Sequence, residues 1–117
     1  MTNFKAEFYE NAKGKKPAKE FILSLEPKMK AKMFHLIDVL EDYGNELREP
    51  YSSSLGNGIF ELRCKFGSDI TRVLYFFYYE GRIIITNGFI KKTQKTPPSE
   101  IELAEKCRKE FLEKEGK

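Results

Sequence analysis

Tryptophan is absent, histidine occurs once and cysteine twice in the 117 residues, and these scarcities remove many enzyme chemistries before any motif is considered. His35 stands between Phe34 and Leu36 in a segment of helical periodicity. Without a second histidine or a clustered carboxylate, it reads as a partly buried structural residue rather than a base or ligand. Cys64, Cys107 and His35 lack a fourth ligand and the close spacing of a zinc site, so no metal and no other cofactor is expected. The two cysteines fall in segments patterned as strand and helix, unlike the cysteine-dense loops of small secreted scaffolds, and read as reduced core thiols. No apolar run approaches the ~18 residues that span a bilayer, and no basic leader with an apolar stretch precedes the first element. A cytoplasmic protein without a membrane partner is expected. Gly56-Asn57-Gly58 lacks the lysine and following helix of a phosphate-binding loop, and there is no Gly-x-Ser-x-Gly elbow.

What is present is enough apolar and aromatic residue, 40% and 14%, to bury one core, and the length suits a single domain over residues 1–117. One third of the residues are charged and the net charge is only +3, with signs alternating along the apparent helices. The distribution says more. Between Glu61 and Thr96 the bases Arg63, Lys65, Arg72, Arg82, Lys91, Lys92 and Lys95 face only Glu61, Asp69 and Glu80, while the remainder of the chain carries a slight acidic excess. A basic surplus carried by sheet-like sequence points to an anionic partner such as nucleic acid.

Period-two alternation of Phe4, Ala6 and Phe8 predicts a short first strand with one buried face. Pro17 suits a first helical position, and Ala18, Phe21, Ile22 and Leu25 mark a helix of about two turns. After Pro27, Met29, Met33, Leu36, Ile37, Leu40 and Tyr43 mark a second helix closing at Gly44, so a helical hairpin is expected. Residues 45–58 are polar and glycine-rich and read as a connection. Three consecutive strands follow, Ile59 to Phe66, Ile70 to Tyr79 and Arg82 to Phe89, turning at Gly67-Ser68-Asp69 and Glu80-Gly81: an antiparallel meander whose middle strand is apolar on both faces, as a doubly covered strand must be. The stretch from Ile90 to Pro98 reads as unable to continue the sheet, and Ser99-Glu100-Ile101-Glu102 reads as a capping box opening a C-terminal helix that frays after Glu113. The fold class is therefore α+β.

Within this frame the available chemistry is that of cations on phosphate. Cleaving RNA without a metal needs a proton taken from the 2′-OH, charge stabilised on the phosphorane and a proton given to the leaving 5′-oxygen. A guanidinium supplies the second, and a lysine with a depressed pKa can exchange protons. Arg63, Arg72, Lys91 and Lys92 form the catalytic set on this reading, with Lys65, Lys95 and Arg82 contacting the RNA backbone. Arg72 stands out because it opens an otherwise apolar run from Val73 to Tyr79. The plain alternative is a solvated outward face for Arg63 and Lys65 and a soluble loop for the later lysines.

Ile59-Phe60-Glu61-Leu62-Arg63, Thr71-Arg72-Val73-Leu74-Tyr75-Phe76 and Gly88-Phe89-Ile90-Lys91-Lys92-Thr93-Gln94-Lys95-Thr96-Pro97, followed by a helix with Glu100, Ile101 and Ala104, resemble the RelE/ParE superfamily of type II toxins. The HigB-like, phage-derived branch is the nearest in pattern. The resemblance implies that superfamily's fold and a ribosome-dependent mRNA endoribonuclease that inhibits translation. It also implies neutralisation by a HigA-like helix-turn-helix antitoxin, with operator DNA bound indirectly through that partner. Residue by residue, it carries the family's phosphate-stabilising arginine onto Arg72, the basic residue of the preceding strand onto Arg63 and the basic cluster onto Lys91, Lys92 and Lys95. Glu61-Leu62-Arg63 departs from a Lys-x-Lys pattern, and no Tyr or His follows Tyr79, so the general base is left unassigned between a lysine, Glu61 and a ribosomal group. A ParE-like toxin acting on DNA gyrase, or a degenerate antitoxin-binding module, are the alternative readings.

Overall fold

The alternation that marks Ile59–Phe66 as a strand also fixes its two faces, and the rest of the architecture follows from what covers each. The structure, a computed structural model, describes residues 4–91 and 95–116. Five strands, β1 (Lys5–Phe8), β2 (Ser52–Gly56), β3 (Ile59–Phe66), β4 (Asp69–Tyr78) and β5 (Arg82–Lys91), form one sheet. Three α-helices accompany it among the described residues: α1 (Pro17–Leu23), α2 (Pro27–Tyr43) and α3 (Pro98–Glu115). The strand order is β1-β5-β4-β3-β2, with β1 parallel to β5 and the other pairs antiparallel.

Phe60, Leu62, Cys64, Val73, Tyr75, Ile83 and Ile85 face α1 and α2, where they pack with Ala18, Ile22, Met29, Met33, Leu36, Ile37 and Leu40. Ile59, Leu74, Phe76, Ile84 and Phe89 face the other way, against Ala104, Cys107 and Phe111 of α3. β4 is therefore buried on both faces, as its composition requires. α1 lies over β5 and α2 over β3, the two joined through Ser24–Glu26. Gly88 permits the first of these contacts: a Cβ there would stand 2.5 Å from the Phe21 ring and 3.0 Å from the Arg72 carbonyl. α2 ends at Gly44, whose φ of 56° and amide bond to the Leu40 carbonyl make the expected glycine cap.

Four expectations are corrected. Residues 45–58 are not merely a connection, because Ser52–Gly56 pairs with β3 through a register shift at Leu55, extending the meander to four strands. Ile90 and Lys91 do continue the sheet, opposite Thr71 and Ile70. The capping box does not form: Pro97 is the N-cap of α3 and makes no side-chain cap, since Pro98 takes the first helical position and moves the start upstream of Ser99. His35 is exposed rather than partly buried, because it points away from the stripe of Met33, Leu36, Ile37 and Leu40. Among the described residues, no helix is long and apolar enough to cross a membrane.

Candidate nucleic-acid interface

Three cross-strand rows carry the polar residues of the α3-side face. Glu61, Leu74 and Asn87 form the first, Arg63, Arg72 and Phe89 the second, and Lys65, Ile70 and Lys91 the third. Side chains directly opposite in an antiparallel pair share a face, so Arg63 and Arg72 project together. Lys91 joins them because of a bulge. Tyr75 pairs with Ile85 but Leu74 with Asn87, leaving Thr86 as an extra residue that reverses the alternation of β5. Ile83 and Ile85 accordingly face α1 and α2, whereas Phe89 and Lys91 face the α3 side. The Thr86 hydroxyl, 2.6 Å from Asn87 Oδ1, ties this bulge to Asn87, whose amide donates to Glu100 Oε1 at 3.0 Å.

Glu61 organises the arginines. Its side chain is 5% exposed, with Oε2 3.5 Å from Arg63 Nε and Oε1 3.9 Å from Arg72 Nε. Oε1 also accepts the Thr96 hydroxyl, which pins the segment entering α3 over the sheet. Arg72 is fully enclosed. Its Nη1 donates to the Lys95 carbonyl at 3.3 Å and its guanidinium lies 5.7 Å from the centre of the Phe89 ring. Burial lowers the Arg72 pKa, Glu61 raises it again, and Arg63 adds to the lowering. The guanidinium that stood out in sequence is thus a charge held inside the fold, with Glu61 as counter-ion. Arg63 keeps 19% of its side chain in solvent, and Lys65, Lys91 and Lys95 are exposed.

Arg63, Arg72, Lys65 and Lys91 are therefore brought together, with Lys95 adjoining through its backbone. Lys92 lies outside the described residues. Arg82 is not brought to this cluster. It sits at the opposite end of β5 from Phe89, roughly 24 Å along the strand, and makes a bidentate pair with Glu7 at 2.8 Å and a contact with Glu115 at 3.2 Å. Its guanidinium stacks 5.2 Å from Tyr78 and 5.4 Å from Phe111. Those two carboxylates raise its pKa, and they tie β1 and the end of α3 to β5. The side chain expected to contact RNA is engaged in these internal pairs. Sequence reasoning missed Glu61 as a counter-ion and Thr96 as its anchor. The acid two positions before Arg63 on one strand face was the available signal. Among the described residues no group of His, Cys, Asp and Glu side chains could hold a metal ion.

The arrangement can bind a polyanion through Arg63, Lys65 and Lys91 over a buried Arg72. A family model for phage-derived Gp49-like proteins (DUF891) matches residues 20–109, which span α2, the whole of β2 to β5 and most of α3. Comparison with curated proteins gives no match.

Proposed function

Because the chain belongs to the phage-derived Gp49-like family, which is associated with toxin–antitoxin systems, we propose that it is the toxin of a type II pair and cleaves mRNA on the ribosome. The observation that carries this reading is the cross-strand pair Arg63 and Arg72 on one sheet face, flanked by Lys65 and Lys91. Arg63, with 19% of its side chain in solvent, supplies donors for a phosphate, and the two lysines hold neighbouring phosphates. Arg72 keeps the field beneath them positive without meeting solvent. A phosphorane gains one negative charge over its phosphodiester, and a fixed guanidinium in a partly enclosed site stabilises that gain.

Proton transfer is the weak part of this site. Glu61 is enclosed between two guanidiniums and Thr96, so a lysine of the cluster or a group of the ribosome takes the 2′-OH proton. The free protein is consequently a poor nuclease on naked RNA, and the ribosome supplies orientation. A HigA-like helix-turn-helix antitoxin restrains it and carries the pair to operator DNA.

One observation favours a second reading. Arg72 is enclosed and its nearest anion is internal, as suits a protein that acts through protein contacts, such as a ParE-like gyrase toxin. Induction without antitoxin separates the two. Arrested growth with new mRNA 5′ ends inside reading frames, lost in Arg63→Ala, supports the nuclease; gyrase-dependent DNA breaks with intact transcripts refute it.

A further inference from the structure

β2 stops pairing at Ser52 opposite Leu62, and the Arg63 amide then donates to the Tyr51 carbonyl at 2.8 Å. Beyond that bond the edge of β3 parts from the chain at Pro50, and a groove of about 550 Å³ opens between this edge and α2. That size lies within the ~300–1,000 Å³ of small-molecule sites. Its floor is apolar, made by Leu36, Cys64 and Pro50, with the half-exposed ring of Tyr51 as a wall. Lys32 and His35 border it from α2, Arg63 and Lys65 border it at the β3 edge with side chains that belong to the α3-side face, and among the described residues no acidic one lines it. Arg63 and Lys65 also line, with Pro50 and Ile70, a second hollow of about 230 Å³, and Ile70 stands beside Lys91 on the α3-side face. The groove is thus continuous, through the same two cations, with the proposed phosphate-binding face.

We propose that this groove is a nucleotide subsite, taking one base of a single-stranded RNA against Tyr51 and the apolar floor while Arg63 and Lys65 hold its phosphate. The proposal rests on the RNA-directed reading above and adds where the chain beside the scissile phosphate goes. An apolar groove with an aromatic wall accepts an unstacked base, and the cations at the β3 edge match the phosphate attached to it. An acidic peptide would meet the same cations. The observations favour RNA because the cations do not stop at the groove but lead round the β3 edge to Arg72 and Lys91.

His35 is the only histidine, so its imidazole proton resonance is an isolated reporter at the rim. The 117-residue chain is titrated with adenosine monophosphate, a short single-stranded RNA, inorganic phosphate and a poly-glutamate peptide. Both nucleotide probes are expected to shift the His35 signal saturably. Tyr51→Ala should weaken the RNA effect roughly tenfold, while Tyr51→Phe, which keeps the ring, retains it. Tyr51 is half exposed, and its backbone bond to Arg63 survives either change. Equal shifts from phosphate alone, a response to poly-glutamate but not RNA, or an unchanged Tyr51→Ala titration would each overturn the subsite. Those results leave the nuclease reading standing if induced wild-type protein still cuts mRNA; loss of that cutting would instead sink the function itself.

Discussion

Removing Glu61 should destabilise the protein far more than removing Arg72, although the two face each other. Glu61 is the common partner of Arg63, Arg72 and Thr96. Glu61→Leu leaves two guanidiniums side by side on one face, one of them fully enclosed. At a separation on the order of 6 Å and an effective dielectric of ~20, their repulsion is about 3 kcal/mol. Removing one partner of a buried ion pair typically costs about 3–5 kcal/mol. For a chain of this size, whose total stability is roughly 6–18 kcal/mol, that is a large fraction. Arg72→Met has the opposite balance. It removes a charge whose burial is unfavourable, as the lowered pKa indicates, and leaves Glu61 still held by Arg63 and Thr96, so the change should stay within about 1 kcal/mol. Urea unfolding of both single variants and the double variant measures this directly, and the double variant should recover most of the Glu61→Leu loss. Equal costs for the two single changes, or a double variant no better than Glu61→Leu, would refute the assignment of Glu61 as the organising counter-ion.

Arg82→Ala should cost about 1 kcal/mol, since its partners Glu7 and Glu115 are both partly exposed, and should leave mRNA cutting in induced cells at the wild-type level; a loss of cutting with unchanged stability would return Arg82 to the RNA surface. Gly88→Ala should lose about 1–3 kcal/mol in urea melts because its Cβ meets the Phe21 ring. Burial pushes the Cys107 thiol up from 9.0 to about 11. In that window the unfolded thiol ionises while the folded one keeps its proton, so stability falls as pH rises, and Cys107→Ala should flatten the part of the fall between pH 9 and 10 in a pH series of unfolding midpoints.

Strict alternation made β3 legible to the residue, and the same alternation already placed Arg63 among the cations of one face. β2 was hidden because Ser52-Ser53-Ser54 has neither β-branching nor an apolar rhythm; its strand exists through pairing with β3. The end of β5 was hidden for a related reason: Ile90 and Lys91 are exposed, so their composition resembles a loop. The orientation of Lys91 depends on the bulge at Thr86, which no local sequence feature announces. Arg72 stands out in the sequence as a charge opening an apolar run, but its enclosure depends on Lys95 and Thr96 folding back over the sheet. Such a contact spans more than twenty residues and is invisible to any window of sequence. The groove escaped notice likewise, since α2, Pro50 and β3 meet only in the folded chain.

The central claim is that the face bearing Arg63 meets a scissile RNA phosphate. Purified protein added to ribosomes paused on a defined message, with the 5′ ends of the RNA mapped over time, tests it most directly. The account predicts a cut within the codon at the decoding site for the wild type and a rate about 100-fold lower for Arg63→Ala. An uncut message, or equal rates for the two proteins, would contradict it.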